Sequence, residues 1–188
     1  LAGLPLWTLP ALGALAVGGG FAAYFTLPHV KIRIDKFLDP GTGDTYQIDQ
    51  SLAAFVNGGL FGQGPGEGVV KQSLPDAHAD FVFAVAGEEL GVIACIVIVA
   101  LFATIVMRGI ASALKETSLF ALLATAGLSV EFGLQALINM SSSLSLIPTK
   151  GMTLPFLSYG GSSLLAISLT AGFILALTRR RPGPPEEP

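Results

Sequence analysis

Apolar positions gather into four long runs, about 8–28, 81–107, 117–140 and 155–178, with polar stretches between them. At about 1.5 Å of helix per residue, each run can cross roughly 30 Å of hydrocarbon. Unpaired amides cost several kcal/mol there, and the runs are too long and too evenly apolar for barrel strands. The pattern predicts an all-α, polytopic integral membrane protein with four transmembrane helices and one long connection, 29–80.

Charge sharpens this picture. Only 12% of the 188 residues are charged, ten basic and thirteen acidic, against about 25% in an ordinary soluble domain. Residues 1–30, 90–107, 117–130, 132–149 and 151–178 carry no Asp, Glu, Lys or Arg. A net charge of -3 provides no basic face to track a phosphodiester backbone, so no nucleic-acid partner is expected. Arg108 and Lys115 lie in one short connection, and Arg179, Arg180 and Arg181 follow the last run, which marks both places as cytoplasmic. Two helices separate them, so residues 29–80 and 141–154 are expected outside. The tail 179–188 is rich in proline and lacks apolar content, and is expected to be a disordered cytoplasmic tail. Cys95, the single cysteine, reads as a small core residue. The chain starts at Leu1 without a signal-peptide pattern, which suggests a preceding N-terminal part.

The outer segment 29–80 is longer than a simple connection requires, and such segments usually carry function. Phe37-Leu38-Asp39-Pro40 starts a turn, 46–55 has helical spacing, and 58–68 reads as a glycine-rich loop, so short interfacial helices are expected. The repeated Gly62, Gly64, Gly66 and Gly68 do not fit a dinucleotide fingerprint and read only as turns.

Asp76-Ala77-His78-Ala79-Asp80 places three titratable groups directly before an apolar run. In a helix, Asp76 and Asp80 would share a face with His78 turned away, and Asp80 would lie one turn deeper. Desolvation would raise its pKa and make it a usable general base. The competing reading is helix capping for both aspartates and interfacial hydrogen bonding for His78. Asp76 and Asp80 could also hold a divalent cation such as Mg or Mn, without a further ligand cluster to complete a cage. Glu88, Glu89 and the more isolated Glu131 sit in apolar runs, and at least one of the adjacent pair is expected to face the bundle interior as a structural partner.

A second constellation comprises Gln135, Asn139 and the stretch 147–163, whose prolines and glycines prevent one continuous helix. Irregular backbone at a membrane surface belongs inside protein or beside water, so this loop is expected to line a cavity with Lys150 directed into it. A lysine there can neutralise phosphate, or simply anchor at the interface. Gln135 and Asn139 read as interhelical hydrogen-bonding groups, and Ser162 and Ser163 as caps of the last helix.

Together these motifs resemble the SEDS family (shape, elongation, division, sporulation) of bacterial cell-wall polymerases. The likeness is carried by Phe37 to Pro40, Tyr46-Gln47 with Gln50-Ser51, the alternating glycines, Leu74 to Ala84, Gly87 to Gly91 and Pro148 to Ser163, and covers about 30–178. The Pro-Asp-Ala-His context is most like the division-specific member, with elongation and sporulation members as alternatives. The resemblance implies a ten-span protein whose last four spans are seen here, so an isolated fragment is expected to be inactive. It implies peptidoglycan glycosyl transfer: the growing glycan passes from undecaprenyl pyrophosphate to the 4-hydroxyl of lipid II with inversion. It places the essential carboxylate on Asp80. Lys150, Lys71 and Arg33 would then stabilise the leaving pyrophosphate, with a divalent cation as a further candidate, and His78, Thr149 and Ser162 complete the candidate substrate contacts. Expected partners are lipid II, the undecaprenyl-pyrophosphate-linked glycan, a class B penicillin-binding transpeptidase and division proteins, at the septal inner membrane. Ala79 stands where the family often has threonine, and Gln72 where some members have an acidic residue. A lipid II flippase, or a scaffold recruiting the transpeptidase, is the alternative.

Overall fold

The computed structural model describes residues 5, 7–38, 46–148 and 151–179, with the backbone alone at Leu9, Arg33, Lys36 and Leu38. Among the described residues six α-helices form in chain order: α1 (Thr8–Thr26), α2 (Pro28–Leu38), α3 (Tyr46–Gly58), α4 (Val82–Ala113), α5 (Leu119–Ser143) and α6 (Gly161–Thr178). A 3-10 turn, Val70–Gln72, lies between α3 and α4. Three of the expected spans appear as helices long and apolar enough to cross a membrane, namely α4, α5 and α6. The fourth is a shorter apolar stretch, Pro10–Thr26, within α1.

Two boundaries differ from the sequence expectation. α4 continues past Arg108 to Ala113 because Arg108 is exposed, so its charge has no reason to end the helix. α6 begins at Gly161, not at 155, because 151–160 forms an irregular loop whose Leu154 and Pro155 are buried by packing. Of the tail, only Arg179 falls within the described residues.

α4 and α5 form the central hairpin, with α6 packed mainly on α5 and α3 mainly on α4. Among the described residues, α1 and α2 pack on each other and on no other helix. Between helices in lipid, apolar transfer drives little, so association depends on close packing and hydrogen bonds. The core follows this rule: Phe102 stacks near Phe132 with centroids 5.7 Å apart, and the missing side chains at Gly109 and Gly133 admit Ser129 and Val106. A second cluster of Ala54, Leu74, Ala77, Phe81 and Ala84 seats the outer segment on the start of α4.

α4 is broken within its first third. Gly91 has φ 82° and ψ 175°, a region essentially restricted to glycine. The break frees helix carbonyls and amides, and the glycine-rich loop fills it. The amides of Gln63 and Gly64 donate to the carbonyls of Glu88 and Glu89 at 2.9 and 3.0 Å. The amides of Val92 and Ile93 donate to the carbonyls of Gly59 and Leu60 at 3.0 and 3.4 Å. Gly62 is at φ 81°, and a Cβ there would overlap the Glu89 carbonyl, so the loop can lie this close only with glycine. The glycine run read as mere turns is therefore the insert that completes a discontinuous helix.

Candidate functional site

Glu88 anchors the floor of the site. Its side chain is fully buried, and its carboxylate accepts the amides of Val69, Val70 and Lys71 at 2.8–2.9 Å and the Asn57 side-chain amide at 2.8 Å. Four donors offset the desolvation of one carboxylate, and the negative charge sits at the start of the 3-10 turn, where free amides point. Glu89 forms an ion pair with Lys71, whose ammonium also donates to the Gly66 carbonyl at 3.0 Å. Lys71 is thus engaged in holding the loop, although it faces the same cavity as Asp76 and His78. Glu131 lies exposed on α5.

The 75–80 segment is a turn and not the helix that would align Asp76 with Asp80. Pro75 precedes Asp76, which adopts a left-handed φ of 52°, and the amides of Ala79 and Asp80 both return to the Asp76 carbonyl at 3.0 Å. Phe81 occupies the cap position of α4 with no side chain capping it, so neither aspartate serves as a cap. Among the described residues no donor reaches the Asp80 carboxylate. It is half-buried, and its pKa is raised above the usual carboxylate range, first by burial and then by the negative charge of Asp76.

The 151–160 loop closes against this acid. A Cβ built at Gly151 would lie 3.2 Å from Asp80 Oδ2, so the glycine leaves that face of the carboxylate open. Asn139 Nδ2 donates to the Asp80 carbonyl at 2.9 Å and to the Met152 carbonyl at 2.6 Å. One turn earlier on α5, Gln135 Nε2 donates to the Thr153 carbonyl at 3.2 Å. The Tyr159 amide donates to the His78 carbonyl at 2.9 Å, and the Ser158 hydroxyl accepts the Leu154 amide at 2.7 Å. Phe156 holds a left-handed φ of 61° within this loop. Its ring lies 6.2 Å from that of Phe132 on α5, which fixes the loop to the core.

His78 is exposed and shared by two cavities. One of about 430 Å³ is lined by Lys71, Gln72, Asp76, His78 and Tyr159. The other, of about 620 Å³, is more apolar and is lined by His78, Val82, Leu157, Ser158 and Tyr159. Tyr159 was not singled out from the sequence; its only signal was an aromatic ring beside two glycines in a loop otherwise read for its lysine and serines. Ser162 is exposed in the first turn of α6, and Ser163 donates to the Gly160 carbonyl at 3.0 Å. Neither serine caps α6, because Gly160 holds the cap position and both lie inside the helix. Thr149 and Lys150 lie outside the described residues, as does the Arg33 side chain. Among the described residues, the helix carrying Arg33, α2, packs only on α1 and is not brought to Asp80. Among the described residues no group of three His, Cys, Asp or Glu could hold a metal ion, and Asp76 with Asp80 supplies too few ligands for a protein-built cage.

A family model described as cell cycle protein, covering FtsW, RodA and SpoVE, matches residues 1–182. The probable peptidoglycan glycosyltransferase FtsW of Caulobacter vibrioides is 51% identical over 183 residues, covering 97% of this chain and 47% of that protein. Proteins of the same name from Geobacter metallireducens and Coxiella burnetii are 44% and 42% identical, covering 86% and 94% of this chain and 45% and 50% of their own lengths. The chain therefore spans about half the length of these relatives.

Proposed function

Because the chain belongs to the FtsW, RodA and SpoVE family of cell cycle proteins, we propose that it is the C-terminal part of a peptidoglycan glycosyltransferase that polymerises lipid II during cell division. The observation that supports this most is the state of Asp80: a half-buried carboxylate with a raised pKa, free of side-chain donors among the described residues and bordered by a glycine. Such a group is held for proton transfer and not spent on structure, in contrast to Glu88 a few residues away.

In the proposed reaction Asp80 accepts the proton of the 4-hydroxyl of lipid II as that oxygen attacks the anomeric carbon of the growing glycan. The new C–O bond forms as the bond to undecaprenyl pyrophosphate breaks, with inversion. Charge then develops on the leaving pyrophosphate, and a preorganised cation is the main electrostatic demand of the step. Lys150 and Arg33 are assigned to that task by the family resemblance, whereas Lys71 is assigned to its ion pair with Glu89. His78 and Tyr159 are assigned to substrate contact, a role supported by their position in the lining of both cavities. The setting is the inner membrane at the septum, with a class B penicillin-binding transpeptidase as partner.

A lipid II flippase is the second reading, favoured by the discontinuous α4, since transporters often build their sites on broken helices. Here, however, loop 59–64 pairs the freed backbone groups at the break, leaving those groups unavailable to a passenger. Full-length protein reconstituted in vesicles with fluorescent lipid II separates the readings. Polymer formed on the outer leaflet supports the enzyme; translocation without polymer overturns it.

A further inference from the structure

We propose that Asn139 is a positioning residue for the transfer reaction, setting how the Asp80 turn sits against the 151–154 loop; this inference rests on the glycosyltransferase reading. One side-chain nitrogen bridges two carbonyls from segments far apart in sequence, Asp80 at 2.9 Å and Met152 at 2.6 Å. Both carbonyl dipoles converge on the same point, so without the amide they would repel each other and separate. Asn139 is 1% exposed, so bulk water cannot take its place. A primary amide places two N–H donors on one nitrogen with no charge, which neither a hydroxyl nor a carboxylate can do.

Asn139 is itself held firmly. It lies on α5 between Ala136 and Met140 of the core, and its carbonyl accepts the Ser143 hydroxyl at 3.1 Å. The Ser51 hydroxyl of α3 donates to the Ser143 carbonyl at 2.6 Å, tying that end of α5 to the outer segment. The acid's turn is consequently fixed at two points, at His78 by the Tyr159 amide and at Asp80 by Asn139. Gly151, whose absent side chain exposes the Asp80 carboxylate, immediately precedes the residue that Asn139 grips. A shift of that loop moves the backbone that faces the carboxylate directly.

The test is steady-state lipid II polymerisation by the full-length protein carrying Asn139→Ala, Asn139→Asp or Asn139→Gln, with Asp80→Asn in parallel and thermal unfolding of each. We expect kcat to fall on the order of 10- to 100-fold for Ala and Asp, with KM for lipid II within about twofold. Gln, which retains both donors on one nitrogen, is expected to recover part of that loss. The inference is overturned by unchanged kcat in the Asp and Ala variants, by a loss confined to KM, or by a loss that tracks unfolding and is not relieved by Gln. If Asp80→Asn is inactive while the Asn139 variants match the parent, only the positioning role fails; if Asp80→Asn is fully active, the glycosyltransferase mechanism fails with it.

Discussion

Replacing Gly91 by alanine probes how the outer loop is built into the membrane helix. At φ 82° and ψ 175° an L side chain is strained by roughly 1–3 kcal/mol, and its Cβ would also overlap the Leu60 carbonyl and Gly62 amide. α4 can escape this strain only by closing into a continuous helix. The amides of Val92 and Ile93 would then return to the carbonyls of Glu88 and Glu89, giving two helical bonds in place of the four made with loop residues 59–64. The net loss of two bonds, at about 0.5–1.5 kcal/mol each, amounts to roughly 1–3 kcal/mol. The two outcomes therefore cost about the same, and either one loosens the loop. Hydrogen exchange on the full-length protein in nanodiscs should show amides 59–68 exchanging faster by on the order of 10- to 100-fold, with the interior of α5 unchanged. Parent-like protection of 59–68 in Gly91→Ala would refute the inserted-loop architecture.

Two further outcomes follow from the acid itself. Because the folded state raises the Asp80 pKa, it binds more protons than the unfolded chain between the two values, and stability falls as pH rises through that window. Asp80→Asn should accordingly melt above the parent at neutral pH and lose that advantage below the ordinary carboxylate range; an equal melting difference at every pH would contradict the shift. Gly151→Val places a branched side chain against Asp80 Oδ2, where even a Cβ would lie at 3.2 Å, and should lower polymerisation at least about tenfold while leaving the folded yield intact. Parent activity in that variant would show that the glycine face of the acid is not its working face.

The spans were legible because lipid demands long apolar runs, and α4, α5 and α6 stand largely where those runs lie. Their ends were less so. Arg108 looked like a terminus but is merely an exposed cation on a continuing helix, and the apolar 155–160 looked helical although it belongs to a loop held by buried Leu154 and Pro155, with α6 starting only after Gly160. The Gly91 break carried no local signal, since glycine is common in membrane helices and its immediate neighbours, Leu90 and Val92, are apolar. Its partner was visible only as alternating glycines thirty residues earlier, and a bond between the two is a tertiary fact. Likewise the charge of Glu88 was evidently costly from its position, but its four donors come from segments that only folding brings together. The turn at 75–80 escaped because helical spacing of two aspartates says nothing about the left-handed backbone at Asp76.

The central claim is that Asp80 accepts the acceptor hydroxyl's proton. Its most direct measurement is the initial rate of lipid II polymerisation by full-length protein with Asp80→Asn, compared with the parent at equal folded concentration. The account predicts a fall of at least about 100-fold, the scale of a lost general base. A variant that folds normally and polymerises at the parent rate would contradict it.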